Sequence, residues 1–409
     1  MEVITAVGID VSKGKSTVAA MRPGGEVVIV PYDVEHNTEE LHRLARSLKL
    51  LDGEVRVVME HTSTYYLPIA TILSKAGMFV SVVHAKLVHD FGNNSIRRGK
   101  TDKKDAIKIA NYALANWTSL APIQQQEDIR QELKKLNRQV NLYTKIEVAL
   151  KNNLIVLLDQ SFPGVNTLFP PYPKANGHEK WVDFVARFWH RDCVSTMSRS
   201  AFSESYRKWC KRTNCIWSAD KANMVYDHAC KQVVTLPKSN VTKIIIKQAA
   251  AQLNSVLETV LTIQREMSRL AAQLPEYETV LAMFGVGWVL APQLVAEIGD
   301  VRRFHSKRAL TAFAGLDSPP YQSGQFESRE RKISKRGSPH LRRALFRVMT
   351  VLMMNQPEED EVYQFLNKKR AEGKHYYVYM TAACNKFLRR YYGRVRECLA
   401  AVGLPETAA

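Results

Sequence analysis

Four acidic residues among the first 105 have the type and spacing that metal-assisted phosphate chemistry uses. Asp10 ends a predicted strand in the sequence VITAVGID, and Glu60 ends another in EVRVVME. Asp102 and Asp105 begin a predicted helix in KTDKKDAIKIA, where an i,i+3 spacing places both on one face. If the two strands are neighbours, their ends lie at one edge of a sheet, and the four carboxylates can converge there.

Converging carboxylates predict a divalent cation. In a low-dielectric cleft they repel one another, and Mg²⁺ (or Mn²⁺) takes carboxylate oxygens as ligands. Two such ions about 3.5–4 Å apart stabilise both the attacking and the leaving oxygen of a phosphoryl transfer. The phosphodiester would be held by nearby basic residues: Arg97, Arg98, Lys100, Lys103 and Lys104. Taken singly, each acid also suits the first turn of a helix or a turn cap.

A serine in the C-terminal third forms a second candidate group. Ser323 precedes Gly324 in a stretch without helical or strand periodicity. A serine beside a small residue can approach a phosphorus atom closely, and surrounding cations would favour its alkoxide. Those cations are Arg329, Arg331, Lys332, Lys335, Arg336, Arg342 and Arg343. A Ser-Gly pair is equally common in an ordinary loop.

The pattern around the acids predicts an α/β fold. Three predicted strands (3–10, 16–23 and 26–32) form a meander, and helices then alternate with strands at 54–61 and 79–85. This order indicates a sheet of mixed direction and is that of the RNase H-like fold. We therefore assign residues 1–122 to a catalytic domain of this class.

The rest of the chain is predicted to be helical. Two heptad series, from Ile129 to Leu157 and from Ala249 to Leu274, predict long helices that pair as an antiparallel hairpin or between chains, or that are ordinary core helices. They form a middle region, 123–274, with an aromatic-rich helical insertion at about 161–237. Its four cysteines fit no common zinc spacing, so reduced thiols are expected.

The third region, 275–409, combines the serine stretch with a glycine turn and a basic tail. The turn contains Gly285 and Gly287 between two apolar helices, a helix-hairpin-helix pattern whose backbone N–H groups could bind a DNA phosphate. An ordinary tight turn between packed helices explains the pattern equally well.

Composition favours a nucleic-acid partner. The 409 residues carry a formal net charge of +18, and residues 301–350 contain twelve Lys or Arg and three acidic residues, an excess of nine. Such an excess predicts binding to a polyanion, driven by counterion release. No apolar run approaches the roughly 18 residues of a membrane span, and the N-terminus lacks a basic leader. A cytoplasmic, nucleoid-associated protein without membrane contact is expected.

Taken together, the motifs resemble the insertion sequence 110 family, the DEDD transposases related to the Piv/MooV invertases. The resemblance rests on GIDVSKGKSTVAA, EHTSTYY, KTDKKDAIKIANYA, GVGWVLAPQLVAEIGD and RFHSKRALTAFAGL with QSG and RKISKRGSPHLRRAL. It implies a RuvC-like domain whose metal-binding acids are Asp10, Glu60, Asp102 and Asp105. It also implies that Ser323 is a nucleophile that links covalently to DNA.

The same resemblance implies partners. These are donor and target DNA, a structured bridge RNA from the element's own ends, and a homotetramer built from two dimers. The segment AGLDSPP departs from the family pattern at Asp317 and Ser318, and SGQFESRE is less basic than usual. Ser318 and Ser328 therefore remain alternatives to Ser323.

We accordingly expect a transposase or site-specific recombinase. One alternative is a metal-only Holliday-junction nuclease, in which water attacks and the serine is structural. Another is an actin-like ATPase or sugar kinase, because GIDVSKGKSTVAA resembles the first phosphate loop of that related fold. That class needs two further nucleotide-binding loops, which the sequence lacks. A third is an inactive nucleic-acid-binding scaffold, against which the presence of all four acids argues.

Overall fold

A computed structural model describes residues 3–91, 101–123, 128–319, 322–323, 326–327 and 332–403. The chain divides into two compact units, residues 1–125 and 126–409, and each is described by itself. Arg97, Arg98, Lys100, Ser328, Arg329 and Arg331 lie outside the described residues.

The first unit is built on a five-stranded sheet. Its strands are β1 (Ile4–Val11), β2 (Lys15–Arg22), β3 (Glu26–Glu35), β4 (Glu54–Glu60) and β5 (Phe79–Val83). The spatial order is β3-β2-β1-β4-β5, with β1, β2 and β3 antiparallel and with β4 and β5 parallel to β1. This confirms the mixed sheet and the RNase H-like fold predicted from the sequence.

Helices cover both faces of this sheet. They are α1 (Thr38–Lys49), α2 (Leu67–Lys75), α3 (Ala85–Phe91) and α4 (Asp102–Ala115). Because strand side chains alternate between faces, Val7 and Ile9 pack with α1 and α2, whereas Ala6 packs with α4 on the other face. The central strand β1 is therefore buried on both sides and fixed in position.

Two long helices organise the second unit. They are α5 (Asp128–Ser161) and α10 (Asn240–Ala271). Leu133 shares a core with Met267, and Leu154 shares another with Ile246, so the two helices run antiparallel within one chain. Of the arrangements that the heptad pattern left open, the structure shows the antiparallel hairpin within one chain.

The insertion between the long helices has its own aromatic core. It contains α6 (Lys180–Arg187), α7 (Asp192–Ser195), α8 (Arg199–Arg212) and α9 (Ala219–Lys231). Phe184 lies at its centre, with its ring centroid 4.8 Å from that of Phe188 and 5.5 Å from that of Trp209. None of the six cysteines forms a disulfide in the structure.

The C-terminal part packs against α5 and α10 and shares their core. Its elements are α11 (Tyr277–Leu281), α12 (Leu290–Ile298), α13 (Lys307–Phe313), β6 (Gln322–Ser323), β7 (Phe326–Glu327), α14 (Pro339–Asn355), α15 (Glu361–Ala371) and α16 (Tyr376–Ala401). Every residue of α12 is buried, so this helix is the centre of the C-terminal core. Among the described residues, no helix is long and apolar enough to cross a membrane.

Candidate active site

Asp10 and Glu60 lie side by side at one edge of the sheet. Ile9 is paired with Met59 in the parallel β1–β4 ladder, so Asp10 and Glu60 are the next residue on each strand. Neighbouring strands are about 4.8 Å apart, and residues in register point to the same face. The first two acids therefore emerge together, on the face of the sheet that α4 covers.

Helix α4 is brought onto this face by a glycine. A Cβ at Gly8 would lie 2.2 Å from the carbonyl oxygen of Ala106 and 2.4 Å from the backbone nitrogen of Ala110, so only glycine allows this approach. Ile109, farther along α4, packs with Ala6, which precedes Gly8 on the same face of β1. The helix therefore runs antiparallel to β1, and its first turn lies at the Asp10 end.

The first turn of α4 carries the other two acids. Thr101 caps the helix by accepting a hydrogen bond from the backbone N–H of Lys104, at 3.3 Å, and Asp102 and Asp105 follow within the first turn. There they complement the helix dipole as well as facing the sheet edge. Asp102 is exposed and the other three acids are half-buried, so solvent and a substrate can reach the group.

A polar cluster that the sequence did not single out borders this turn. Asp33 on β3 accepts hydrogen bonds from the Thr17 hydroxyl at 2.6 Å and the Lys15 ammonium at 3.1 Å. The Asp33 hydrogen bond and charge raise the pKa of Lys15, and the charge of Asp102 adds to this effect. The Lys15 cation thus lies within electrostatic range of Asp102. Sequence reasoning missed it because the pairing spans separate strands.

The donor set of the four acids suits a hard divalent cation, because all of the oxygens are carboxylate oxygens. Across the described ranges, no three His, Cys, Asp or Glu side chains are gathered closely enough to hold an ion. Carboxylates repel one another when no cation lies between them. The fold therefore supplies the right ligands at one edge of the sheet, without itself bringing them into a closed site.

Ser323 lies on a tight hairpin in the second unit. It pairs with Phe326, and Gln322 pairs with Glu327, so only two residues join the strands. A short hairpin of this kind places the serine at its tip. Ser318, the alternative serine that is described, is exposed in the segment that leads to β6.

The segments on either side of this hairpin are bonded to each other. The backbone N–H groups of Ser334, Lys335 and Ser338 donate to the carbonyls of Asp317, Gly315 and Phe313, at 2.8, 3.1 and 2.8 Å. The Ser334 hydroxyl also donates to the Asp317 carboxylate at 2.5 Å. Asp317, one of the departures from the family pattern, thus joins the two segments at the base of the hairpin.

The basic residues after the hairpin divide into two groups. Lys332, Lys335 and Arg336 are exposed and available to a ligand. The Arg342 guanidinium donates to the carbonyls of Ala314 at 2.9 Å and Gly337 at 3.3 Å, so it holds the loop as well as carrying charge.

The turn that contains Gly285 and Gly287 is closely packed at Gly285 and open at Gly287. This residue has a positive φ of 76°, and a Cβ there would lie 2.9 Å from Leu352 of α14. Gly287 has no atom within 4 Å of such a Cβ. Close packing therefore accounts for Gly285, whereas the space beside Gly287 is open to a ligand.

Comparison with known proteins identifies the class. Residues 7–163 match the DEDD transposase model of the IS110 type, described as Transposase, and residues 277–364 match the Transposase IS116/IS110/IS902 family. The first match contains all four acids and the second contains Ser323. The chain is thus a DNA transposase with an RNase H-like domain.

Two proteins of insertion elements are similar to most of the chain. The protein of insertion element IS110 from Streptomyces coelicolor is 22% identical over 90% of this chain and 88% of its own length. The protein of element IS116 from Streptomyces clavuligerus is 25% identical with the same coverage. Thermus thermophilus RuvC is 14% identical, covers 29% of this chain and 99% of its own, and has a TM-score of 0.23. The chain belongs to the IS110 family of transposases, as its motifs predicted.

Proposed function

We propose that this transposase cuts and rejoins DNA through a covalent phosphoserine. The observation that carries the proposal is the placement of four carboxylates at one open edge of a rigid sheet, in a chain that also presents Ser323 at a hairpin tip. A transposase must break a phosphodiester and form another, and these two sets of residues supply the groups that such chemistry needs.

The acids would hold a divalent cation, Mg²⁺ or Mn²⁺, through Asp10, Glu60, Asp102 and Asp105. When bound, the ion would neutralise charge that develops on the phosphoryl oxygens. The chain's own contribution is positional. Because β1 and β4 are neighbours and α4 lies against Gly8, the four carboxylates are carried on three rigid elements instead of a loop. Lys103 and Lys104 in the same turn would contact the DNA backbone, together with Arg97, Arg98 and Lys100.

The serine would act as the nucleophile. Its Oγ forms a bond to phosphorus, the bond from phosphorus to the 3′-oxygen of the cut strand breaks, and the leaving oxygen takes a proton. A 3′-hydroxyl from the partner DNA then attacks the phosphoserine and releases Ser323. Bond energy is conserved, so ATP is not required. The exposed Lys332, Lys335 and Arg336 would stabilise the developing charge, together with Arg329, Arg331, Arg342 and Arg343.

A covalent-adduct assay tests the serine step. Purified wild-type protein with end-labelled donor DNA and Mg²⁺ should give a labelled band that survives denaturation and disappears after protease treatment. Ser323→Ala should abolish the band while retaining DNA binding, and Ser318→Ala, the matched control, should retain it. An active Ser323→Ala protein that cuts without an adduct would support the metal-only nuclease. Absence of cutting by the wild-type protein under all metal conditions would support an inactive scaffold.

The proposed assembly includes a structured bridge RNA that pairs with donor and target DNA, and a homotetramer in which one subunit's acids act with another's serine. Support comes from family membership and from the charge excess of residues 301–350. Purification from cells that also express the flanking DNA, followed by a high-salt wash and RNA sequencing, tests the guide. One RNA species from the element's end supports it, and random fragments contradict it. Mass measurement of the purified complex tests the tetramer.

A further inference from the structure

A second cationic surface combines the long helix α5, which lies outside the segment that the sequence pointed to, with helix α14, which lies within it. Lys134, Arg138 and Lys145 fall on one stripe of α5, at i, i+4 and i+11. Arg343 and Arg347 fall on one stripe of α14, at i and i+4. We call these five residues the α5–α14 basic face.

The two stripes belong to one surface. The Arg343 guanidinium donates to the Asn141 side-chain oxygen on α5 at 3.3 Å. Burial lowers the pKa of His340, one turn before Arg343 on α14, and the charges of Arg138, Lys145 and Arg343 lower it further against the opposing charge of Glu297. A residue on one helix is therefore within electrostatic range of cations on both.

Few acids offset these cations. Glu297 of α12 is 2% exposed, and it accepts hydrogen bonds from Asn137 at 2.7 Å, Arg138 at 3.1 Å and the Ser338 hydroxyl at 2.9 Å. These hydrogen bonds hold Asn137, Arg138 and Ser338 in place, and the Glu297 carboxylate itself is buried beneath the surface. Glu147 acts on the face through Arg347, whose pKa it raises. Glu297 and Glu147 thus each offset part of the charge of this surface.

This arrangement is unfavourable for the isolated protein. Burial lowers the pKa of the half-buried Lys134, and the charges of Arg138 and Arg303 lower it further against the opposing charge of Glu297. Like charges held together by the fold reduce stability unless a partner of opposite charge binds them. The side chains of Lys145 and Arg347 are exposed, so such a partner can reach them.

We infer that the α5–α14 basic face binds the sugar–phosphate backbone of a nucleic acid during transposition. The inference rests on the proposed function and extends it to residues of the long helix. The α5 stripe spans eleven residues, roughly 16 Å, which is the length occupied by about nine phosphates of a duplex. Because backbone phosphates repeat at short intervals, a row of cations on one helix face can contact several of them.

The salt dependence of binding provides the test. Lys145→Gln/Arg347→Gln removes two exposed charges of the face, and Lys243→Gln/Lys247→Gln removes two exposed charges of α10 as a matched control. Binding of a duplex DNA and a duplex RNA of the same length is measured from 50 to 200 mM salt. Each lost phosphate contact reduces the magnitude of the slope of log K against log salt by about 0.9. The slope of the face variant should therefore be smaller in magnitude by about 1.8 than that of the wild-type protein. Raising the salt from 50 to 200 mM should therefore weaken nucleic-acid binding by the face variant about twelvefold less than it weakens binding by the wild-type protein.

The comparison between the DNA and the RNA measurements separates the possible outcomes. A slope change with DNA alone assigns the face to the DNA substrates, and a change with RNA alone assigns it to a guide. Equal slopes for the face variant, the control and the wild-type protein on both ligands would overturn the inference. Lys145→Gln alone, with an expected slope change of about 0.9, replaces the double variant if the latter unfolds. If the wild-type protein forms the phosphoserine adduct but the salt slopes are equal, nucleic-acid binding by the α5–α14 basic face is refuted and the proposed function stands.

Discussion

The contact between Gly8 and α4 makes Gly8→Ala the most informative substitution in the first unit. The added methyl would lie 2.2 Å from the carbonyl oxygen of Ala106, whereas non-bonded atoms need about 3.5 Å, so α4 must move away by about 1 Å. Forced displacement of this kind costs roughly 1–3 kcal/mol of folding free energy. The same movement carries Asp102 and Asp105 away from Asp10. Since a misplacement of 1 Å can reduce a catalysed rate by about a hundredfold, we expect a loss of that size in DNA cutting.

Two measurements on the same preparation separate displacement from unfolding. Thermal unfolding gives the stability loss, and single-turnover cutting well below the unfolding temperature gives the rate at increasing Mg²⁺. The matched control is Gly393→Ala, where an added Cβ meets nothing within 4 Å and the helix should gain about 0.5–1 kcal/mol. A Gly8→Ala protein with wild-type stability and wild-type cutting would refute the role assigned to this contact.

Four further predictions concern the second unit. Gly285→Ala should lower the free energy of unfolding by roughly 1–3 kcal/mol because its φ is positive and Leu352 blocks the new methyl; a wild-type urea midpoint would contradict this. Gly287→Ala should leave the midpoint unchanged, so any loss of DNA affinity reports on a bound phosphate. Cys384 should resist thiol reagents in the folded protein, because burial raises its pKa, whereas the exposed Cys230 should react; quantification by mass spectrometry checks both. Glu297→Gln should lower stability by about 1.5–3 kcal/mol because a charged acceptor of three donors is lost, and unchanged urea unfolding would argue against it.

The first unit could be predicted from the sequence because its signals are local. Alternating or continuous apolar runs predicted all five strands, and the acids lie at the ends of strands or in the first turn of a helix. Neighbouring strand ends and an i,i+3 spacing were enough to place the four acids at one edge. The contribution of Gly8 could not be predicted, because a glycine inside an apolar run does not show which helix will approach it.

The contacts that shape the second unit are distant in sequence. Asn137 and Glu297 are separated by 160 positions, and Asn141 and Arg343 by 202. No periodicity links residues that far apart, so the sequence predicted charge near Arg343 but not the α5 residues that share its surface. Charge counting found the most basic segment, whereas the α5–α14 basic face emerges only when two helices are packed together.

The two units hold the proposed catalytic residues in different ways, and this difference predicts a mechanistic consequence. The acids are carried on two central strands and a helix pressed against Gly8, so their positions change only if the core changes. Ser323 is carried on a hairpin whose base is bonded through Asp317 and whose strands are two residues long. In the mechanism that we propose, Ser323 joins phosphorus and then releases it to a second DNA strand, and the bonds between the flanking segments would hold the serine in place for both steps. Substitutions at the base, such as Asp317→Ala, should therefore slow both serine steps while leaving the response to Mg²⁺ concentration unchanged.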